Sequence, residues 1–283
     1  MIPEKWLDDK SYIERCLSGK ELFGDNFSPD DLKLWYSIEE QAYAKLLGNS
    51  EDLNQEYIYH GFNKFHAYNK LPDRFWSNVL SYGGAYCQEL MPIIDKIGTV
   101  TVLEPGDKFQ HGTLQSTSGE TKVPLTYVKP DSSGKIQFDN ESFDLITCIS
   151  ALHHVPNVSF VVTEICRILK HGGYCIIREP TTSMGNWTSD RVGCTPLERG
   201  IPELLMKKFI QQNGCDLLHM SSYDFGPLRR LVQCFRLNCH NSTIYVRIDC
   251  LLSKFYMYRK TYFAKTFFQK FQPGACYYIF YKK

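Results

Sequence analysis

The chain has 283 residues, of which 43% are hydrophobic and 22% charged, and its formal net charge is +1. This content can bury one large core, and it favours a single α/β domain with extra segments over two independent domains. The sequence has no run of about 18 consecutive apolar residues, and its first residues lack the basic and apolar regions of a signal peptide. We therefore predict a cytoplasmic protein without a membrane-spanning helix.

The eleven cysteines contain no CxxC pair, which predicts reduced core residues and no bound metal.

The charges are distributed unevenly along the chain. Residues 1–60 carry six basic and thirteen acidic side chains, whereas residues 251–283 carry seven basic side chains and no acid. The segment 251–272 interleaves aromatic and basic residues. Its spacing favours an amphipathic helix packed on the domain, and contact with anionic lipid, a phosphate-bearing substrate or nucleic acid is the alternative.

The first 74 residues predict a helical cap. Ser28 and Pro29 have the residue types of a helix N-cap and first turn, followed by two acids that favour the positive end of the helix dipole. Apolar residues then recur at helical spacing, at Leu34, Trp35, Ile38, Ala42 and Leu46.

From residue 75 onward, predicted strands and helices alternate, which indicates a doubly wound and mostly parallel α/β sheet. The strands are expected at 78–82, 99–103, 125–128, 143–150, 173–178, 215–223 and 276–281. The helices are expected at 86–97, 157–169 and 201–213. In such a sheet, ligands bind beyond the carboxyl ends of the strands.

Two features of the first strands point to a ligand with a ribose. Gly83, Gly84 and Ala85 follow the first strand, where small side chains allow a ligand to approach the backbone closely. Glu104 ends the next strand, 21 residues after Gly83, and its carboxylate is suited to accept hydrogen bonds from both ribose hydroxyls. The alternative is that Glu104 is a solvated residue of the turn before Pro105.

The most specific feature spans residues 138–180. It contains Phe143-Asp144, then Leu152-His153-His154, then Arg167-Ile168-Leu169-Lys170-His171-Gly172-Gly173 before an apolar strand. Over residues 75–180 this pattern resembles the class I S-adenosylmethionine-dependent methyltransferases, in particular their broad small-molecule and polysaccharide-cluster group. The resemblance implies a seven-stranded Rossmann-like methyltransferase fold and S-adenosyl-L-methionine as the methyl donor.

The resemblance also implies roles by position. Glu104 corresponds to the residue that binds the donor ribose. Asp131 and Ser132, after the third strand, are the candidates for covering the adenine, and Ser150 with Leu152 and His153 faces the methionine and the acceptor.

The first glycine motif departs from the family pattern. Ser81 stands where the family has an acid, and Ala85 and Cys87 replace two glycines. The Cβ of Ala85 is tolerated if its φ is negative, but the missing carboxylate removes a partner for the donor's ammonium group. A site that binds weakly, or that is degenerate, is therefore an alternative to an active one.

Methyl transfer from a sulfonium requires alignment of the acceptor and, for a hydroxyl, removal of its proton. His153 or His154 is a candidate base because histidine titrates close to neutral pH. The alternative is that the pair only holds the loop by hydrogen bonds to the backbone.

The polar loop 181–200 is expected to lie over the same strand ends. It is similar to a segment of methyltransferases from bacterial surface-polysaccharide clusters, which implies a saccharide acceptor. An aromatic platform with planar polar groups suits a carbohydrate, and the candidates are Arg178, Glu179, Trp187, Asp190 and Arg199. The alternative is an ordinary lid held shut by ion pairs.

The leading hypothesis is an O-methyltransferase for a saccharide or another small-molecule hydroxyl, with a cap at 1–74 and a methyltransferase domain at 75–283. Methylation of nucleic acid or a lipid-linked substrate through the basic aromatic segment is a second hypothesis. A non-catalytic binding or scaffold protein is a third. A nicotinamide oxidoreductase is disfavoured because the full GxGxxG pattern is missing.

Overall fold

The computed structural model describes residues 2–47, 57–237, 239–256 and 260–283. Within these ranges eight strands form one sheet in the order β3-β4-β2-β1-β5-β6-β8-β7. The strands are β1 Trp76–Tyr82, β2 Ile97–Leu103, β3 Thr113–Gln115, β4 Lys122–Val128, β5 Phe143–Ile149, β6 Leu169–Pro180, β7 Cys215–Phe225 and β8 Pro273–Lys282.

The sheet is mostly parallel, as the alternation of elements predicts. The central strands β4, β2, β1, β5 and β6 pair in parallel, while β8 lies between β6 and β7 and is antiparallel to both. The short β3 adds an antiparallel edge to β4 and was not predicted. The predicted doubly wound sheet is therefore confirmed, with seven principal strands and one additional hairpin strand.

Seven α-helices lie in the described ranges: α1 Lys10–Leu17, α2 Pro29–Leu47, α3 His60–His66, α4 Val158–Ile168, α5 Glu203–Gln212, α6 Gly226–Cys234 and α7 Thr243–Tyr256. The α-helix predicted at 86–97 is instead a 3-10 helix over Gln88–Lys96. Pro92 lies inside it, and because proline has no N–H the regular α-helical ladder is interrupted.

Two apolar layers cover the sheet. On one face, α4 and α5 contribute Val162, Ile165 and Met206 to a cluster with the sheet residues Ile146 and Phe280. On the other face, residues of α3, the 3-10 helix and α7 pack on the sheet, including Phe62, Leu90, Val246, Val79 and Tyr277. Covering both faces leaves the carboxyl ends of the parallel strands as the open edge where a site forms.

A third apolar cluster joins the N-terminal helices to the loop 181–200. It contains Trp6, Phe23, Trp35, Trp187 and Leu197. The indole N–H of Trp35 also donates to the carbonyl oxygen of His154 at 2.7 Å. The division into segments 1–74 and 75–283 stays a prediction, and these contacts show that α2 packs directly against the strand ends.

The basic aromatic segment 251–272 is not one amphipathic helix, so that prediction is wrong. Helix α7 ends at Tyr256, residues 257–259 lie outside the described ranges, and residues 260–272 are irregular apart from a short 3-10 turn at Phe268–Lys270. The Gln272 side chain accepts from the Thr261 N–H at 2.6 Å and donates to the Thr261 carbonyl at 2.8 Å. These side-chain bonds replace the backbone bonds of a helix.

Candidate functional site

The turn after β1 is shaped by glycine at two positions. Gly83 has a φ of +66°, and a Cβ placed there would lie 2.5 Å from the Cβ of Ala151. A Cβ on Gly84 would lie 1.8 Å from the Ser81 hydroxyl oxygen. Both glycines are therefore required by close contacts with this chain's own side chains.

Two further residues of the turn have the left-handed backbone that glycine adopts without strain. Ala85 has a φ of +46° and Cys87 a φ of +55°. The negative φ that would make Ala85 easy to tolerate is thus absent. A left-handed conformation costs a residue with a Cβ roughly 1 kcal/mol relative to glycine, so the turn keeps a glycine-like path with two strained residues.

Glu104, at the end of β2, lies against this turn. One carboxylate oxygen, Oε1, accepts from the Gly106 N–H at 3.0 Å, and Oε2 accepts from the Ala85 N–H at 3.2 Å. The residue is 5% exposed, and burial raises the pKa of its carboxyl although the two backbone N–H groups oppose that shift. The structure therefore brings together the two sequence features that were expected to share a cleft.

Aromatic rings surround this carboxylate. Tyr43 of α2 lies with its ring centroid 5.9 Å from that of His154 and 6.5 Å from that of Phe109. Tyr86 packs on Phe109 at 5.0 Å. Burial, followed by the charge of Glu104, raises the pKa of Tyr43 to about 12.

A buried carboxylate lies beside Ser81, where the family motif has an acid. The Ser81 hydroxyl donates to Oε1 of Glu89 at 2.5 Å, and the same oxygen lies 3.0 Å from the position of a Cβ on Gly84. Burial raises the pKa of Glu89 to about 7. Sequence reasoning missed Glu89, and the signal that marked it was a single acid inside the apolar run 87–94.

The loop after β4 carries Asp131 and Ser132. Asp131 accepts from the Ser133 N–H at 2.7 Å and from the Gln137 side-chain amide at 3.2 Å. The Ser133 N–H lowers the pKa of the Asp131 carboxyl. Ser132 is exposed. Their contact with an adenine stays a prediction.

The carboxyl end of β5 is organised by Glu179, which is buried at the end of β6. Its Oε1 accepts from the N–H groups of Ala151 and Leu152 at 2.8 and 2.7 Å. Its Oε2 lies 2.7 Å from Nδ1 of His153. Because a carboxylate only accepts, Nδ1 carries the proton in the neutral form of His153, and in that form Nε2 has a lone pair.

The two neighbouring histidines have different surroundings. Nδ1 of His154 lies 2.7 Å from Oε2 of Glu39, which also accepts from the Thr195 hydroxyl at 2.6 Å. Burial lowers the pKa of His154, but the hydrogen bond and charge of Glu39 outweigh it, so that the pKa is raised overall. His154 therefore links α2 to the loop 181–200 through Glu39, whereas Nε2 of His153 makes no hydrogen bond among the described residues.

The remaining candidates separate into buried and exposed groups. Trp187 is 1% exposed and stacks on Phe23 with ring centroids 4.4 Å apart, so its ring belongs to the core and forms no open platform. Arg199 is also buried and donates to three backbone carbonyls, those of Phe23, His153 and Pro156. Asp190 is exposed on the loop.

Arg178 and Ser150 meet at the strand ends. The guanidinium Nε and NH2 groups of Arg178 donate to the Ser150 hydroxyl oxygen at 3.2 and 2.6 Å. Ser150 has a φ of +57°, which is strained for serine. In the described ranges, no group of three or more His, Cys, Asp or Glu residues is arranged to hold a metal ion.

The fold is of the class I, Rossmann-like methyltransferase kind, and comparison with known proteins agrees. Residues 80–177 match the family model described as a methyltransferase domain. The central part of the chain is therefore similar to that family.

Curated relatives match over a stretch of 94 residues. An O-methyltransferase of ubiquinone biosynthesis from Yersinia pestis is 30% identical over 94 residues, which is 32% of this chain and 39% of that protein. The corresponding Photorhabdus laumondii enzyme is 27% identical over 94 residues, with the same coverage of 32% and 39%. The chain thus covers 39% of the length of these curated relatives.

Two solved structures share the fold over most of the chain. One is from a complex between a Haloferax volcanii methyltransferase activator and a methyltransferase, with a TM-score of 0.51, 13% identity and coverage of 87% of this chain and 96% of that one. The other is the cyclase SpnF, with a TM-score of 0.50, 11% identity and coverage of 88% and 94%. Because one neighbour is named for a cyclisation, activity has to be argued from the site.

We expect the substitution Ala85→Gly to stabilise the protein by roughly 1 kcal/mol, because glycine relieves the left-handed strain. Ala42→Gly is the matched control, since Ala42 lies inside α2 and the same change in a helix costs about 1 kcal/mol. Urea unfolding measures both. A loss of stability for Ala85→Gly equal to that of the control would show that the turn is not strained.

We expect the stability of the protein to depend on pH through Glu89. Its folded pKa of about 7 exceeds the ordinary 4.5, so between these values the folded state holds a proton that the unfolded chain has lost. The free energy of unfolding therefore falls as pH rises through that window, by roughly 3 kcal/mol from this group.

The substitution Glu89→Gln should remove that part of the dependence, so the variant gains stability relative to wild type between pH 5 and pH 8. Glu120→Gln, on the exposed loop after β3, is the control and should follow wild type. Parallel pH curves for wild type and Glu89→Gln would contradict the assignment.

Proposed function

We propose that the protein is an S-adenosylmethionine-dependent O-methyltransferase acting on a small-molecule hydroxyl. The observation that carries the proposal is the convergence of the turn 83–85, Glu104 and the strand end at His153. The O-methyltransferase names of the curated relatives support the same reaction class. Trp187 does not support the hypothesis of a saccharide acceptor, because its ring is buried.

The residues at the turn fit the chemistry of the donor. Glu104 supplies the carboxylate for the ribose hydroxyls, and Glu89 supplies a carboxylate next to Gly84 in place of the acid that Ser81 replaces. Asp131 and Ser132 are the proposed adenine contacts. When bound, S-adenosylmethionine supplies the methyl group of a sulfonium ion and is left as a neutral thioether.

His153 is the proposed base. Glu179 holds its Nδ1 proton at 2.7 Å, so the lone pair of Nε2 is available to the acceptor. Among the described residues Nε2 makes no hydrogen bond, and the nearest acid to it is Glu198, with Oε1 at 3.9 Å. The acceptor oxygen binds the methyl group and releases its proton to Nε2, which conserves charge over the reaction.

The donor site is tested by titrating S-adenosylhomocysteine calorimetrically into wild type and Glu104→Gln. We expect wild type to bind and the variant to lose about 1–3 kcal/mol of affinity, since charged hydrogen bonds to the ribose are removed. Asp107→Asn is the control, because Asp107 is an exposed acid three residues along the chain that pairs with Lys129.

Two results would contradict the proposal. If wild type binds neither S-adenosylmethionine nor its product at millimolar concentration, the chain is a non-catalytic binding protein. If Glu104→Gln and Asp107→Asn bind equally well, the ribose is not at Glu104.

A second candidate, methylation of a lipid-linked acceptor at an anionic membrane surface, is favoured by the C-terminal surface. Residues 226–283 contain eleven Lys and Arg residues and one acid, Asp249. That acid is buried and accepts from the N–H groups of Asp224 and Phe225. The surface built by this segment therefore displays basic charge without exposed acid among its described residues.

Helix α7 adds apolar contact area to that charge. Its outer face exposes Ile244, Ile248, Leu251 and Phe255 at helical spacing. An amphipathic surface of this kind suits the boundary of an anionic bilayer better than nucleic acid. In the described parts of the chain, no helix has the length and apolar content to cross a bilayer.

We expect Leu251→Asp to reduce co-sedimentation with phosphatidylserine-containing vesicles by about tenfold, because it places a charge in the apolar face. Leu204→Asp on α5 is the control, since Leu204 is similarly exposed on another helix. Binding to phosphatidylcholine vesicles should be weak. Equal sedimentation of the two variants, or binding to RNA but not to vesicles, would exclude the second candidate.

A further inference from the structure

A large cavity lies on the acceptor side of the strand ends. Its volume is about 1030 Å³, and its floor includes Ser150, His153 and Arg178. Helix α6 and residues 262–265 form other parts of its wall. Neither the turn 83–85 nor Glu104 lines this cavity, so it is separate from the proposed donor site and meets it at the end of β5.

Arg178 in the floor is a buried cation that forms no ion pair with another described residue. It is 4% exposed, and no carboxylate oxygen of a described residue lies within 4.0 Å of its guanidinium. Burial lowers the pKa of Arg178, but the surrounding tyrosines, first Tyr223 and Tyr57, raise it overall. The carboxyls of Glu89 and Asp224 respond to its charge. A buried charge is costly without a partner, so an anion from outside the chain would be strongly favoured here.

The protein contacts of Arg178 leave donors for such an anion. Nε and NH2 both donate to the Ser150 oxygen, and NH1 donates to the Asn63 side-chain oxygen at a long 3.4 Å. The ring of Tyr59 lies over the guanidinium at 4.3 Å. Three of the five N–H groups are thereby used. The Tyr277 hydroxyl, which donates to the same Asn63 oxygen, is a further hydrogen-bonding neighbour of the guanidinium. None of the N–H groups has a carboxylate partner among the described residues.

Ser150 provides a further donor at the same place. Its oxygen accepts both guanidinium N–H groups, so its own hydroxyl hydrogen is left to donate. The strained φ of +57° is fixed by the hydrogen bond from the Ser150 N–H to the Arg178 carbonyl at 2.8 Å. Arg178 and Ser150 therefore present converging N–H and O–H groups, which is the donor set that binds an oxyanion.

The rest of the lining carries an excess of positive charge. Arg229, Arg230, Lys265 and Lys270 line the cavity, against the single carboxylate of Asp224. That carboxylate is paired with Arg229 at 2.5 Å. Burial lowers the pKa of His240, another lining residue. Several cations around one anion site suit a ligand with more than one negative charge.

We propose that this cavity binds an acceptor that carries a phosphate or diphosphate group, with a phosphate oxygen at Arg178 and Ser150. Lys265 and Lys270, which we call the rim lysines, interact with the remaining negative charge of the ligand. This inference rests on the proposed function only in that the hydroxyl to be methylated belongs to the same molecule and lies near His153.

The test is calorimetric titration of inorganic pyrophosphate into the protein without a methyl donor. Wild type should bind, and Arg178→Lys should bind at least about tenfold more weakly, because lysine keeps the charge but loses the planar donor pair. Ser150→Gly removes the hydroxyl while suiting the φ of +57°, and should also weaken binding. Thermal unfolding checks that each variant is folded.

A rim variant keeps the test decisive if Arg178→Lys does not fold. Lys265→Ala with Lys270→Ala should weaken pyrophosphate binding several-fold and reduce its salt dependence. Lys207→Ala with Lys208→Ala on α5 removes the same charge outside the cavity and is the control. Equal binding by the two double variants, or malonate binding as tightly as pyrophosphate, would overturn the inference.

Two comparisons separate the remaining outcomes. If phosphatidate vesicles compete with pyrophosphate and a soluble phosphate monoester does not, the phosphate group belongs to a lipid. The reverse result assigns it to a free metabolite. Either source supports the phosphate site. If wild type binds pyrophosphate but does not bind S-adenosylhomocysteine, the proposed function is refuted and this inference stands.

Discussion

The buried carboxylate of Glu179 is the constraint on which the site depends. It accepts from two backbone N–H groups after β5 and from Nδ1 of His153, so one side chain at the end of β6 fixes the path of the neighbouring strand end. That path places the Cβ of Ala151 against Gly83. The turn after β1, the base and the end of β6 are therefore positioned together, and none of them is free to shift alone.

This arrangement divides the strand ends into two sides. On one side, Glu104 and Glu89 are carboxylates next to the glycine turn. On the other side, Arg178 lies at the floor of a basic cavity. The end of β5, with Ser150 and His153, lies between an acidic and a basic half. Such a separation of charge suits two ligands that meet at one reacting atom, with a cationic group on the acidic side and an anionic group on the basic side.

Two of the N-terminal acids bind to other segments of the chain. Glu39 pairs with His154 and also accepts from the backbone N–H of Leu197, which joins α2 to the loop 181–200. Asp25 accepts from the Ser159 N–H at the start of α4. The acidic character of residues 1–60 thus partly reflects how the N-terminal helices attach to the domain, whereas Lys254, Lys265 and Lys270 of the C-terminal segment are exposed.

The sequence alone determined the seven principal strands of the sheet, because alternating apolar periods depend on neighbours along the chain and the crossover rule then limits the topology. It also located Gly83 and Glu104, since parallel strands end at a common edge. It did not reveal that Glu89 lies beside Ser81, that Trp187 and Arg199 are buried, or that Arg178 has no carboxylate partner among the residues that the structure describes. Those properties depend on contacts between distant segments, such as the bond from Arg199 to the Phe23 carbonyl across 176 residues. Residue type and spacing leave such contacts open, and only the packing of the tertiary structure decides whether a polar side chain is an anchor, a ligand or an unpaired charge.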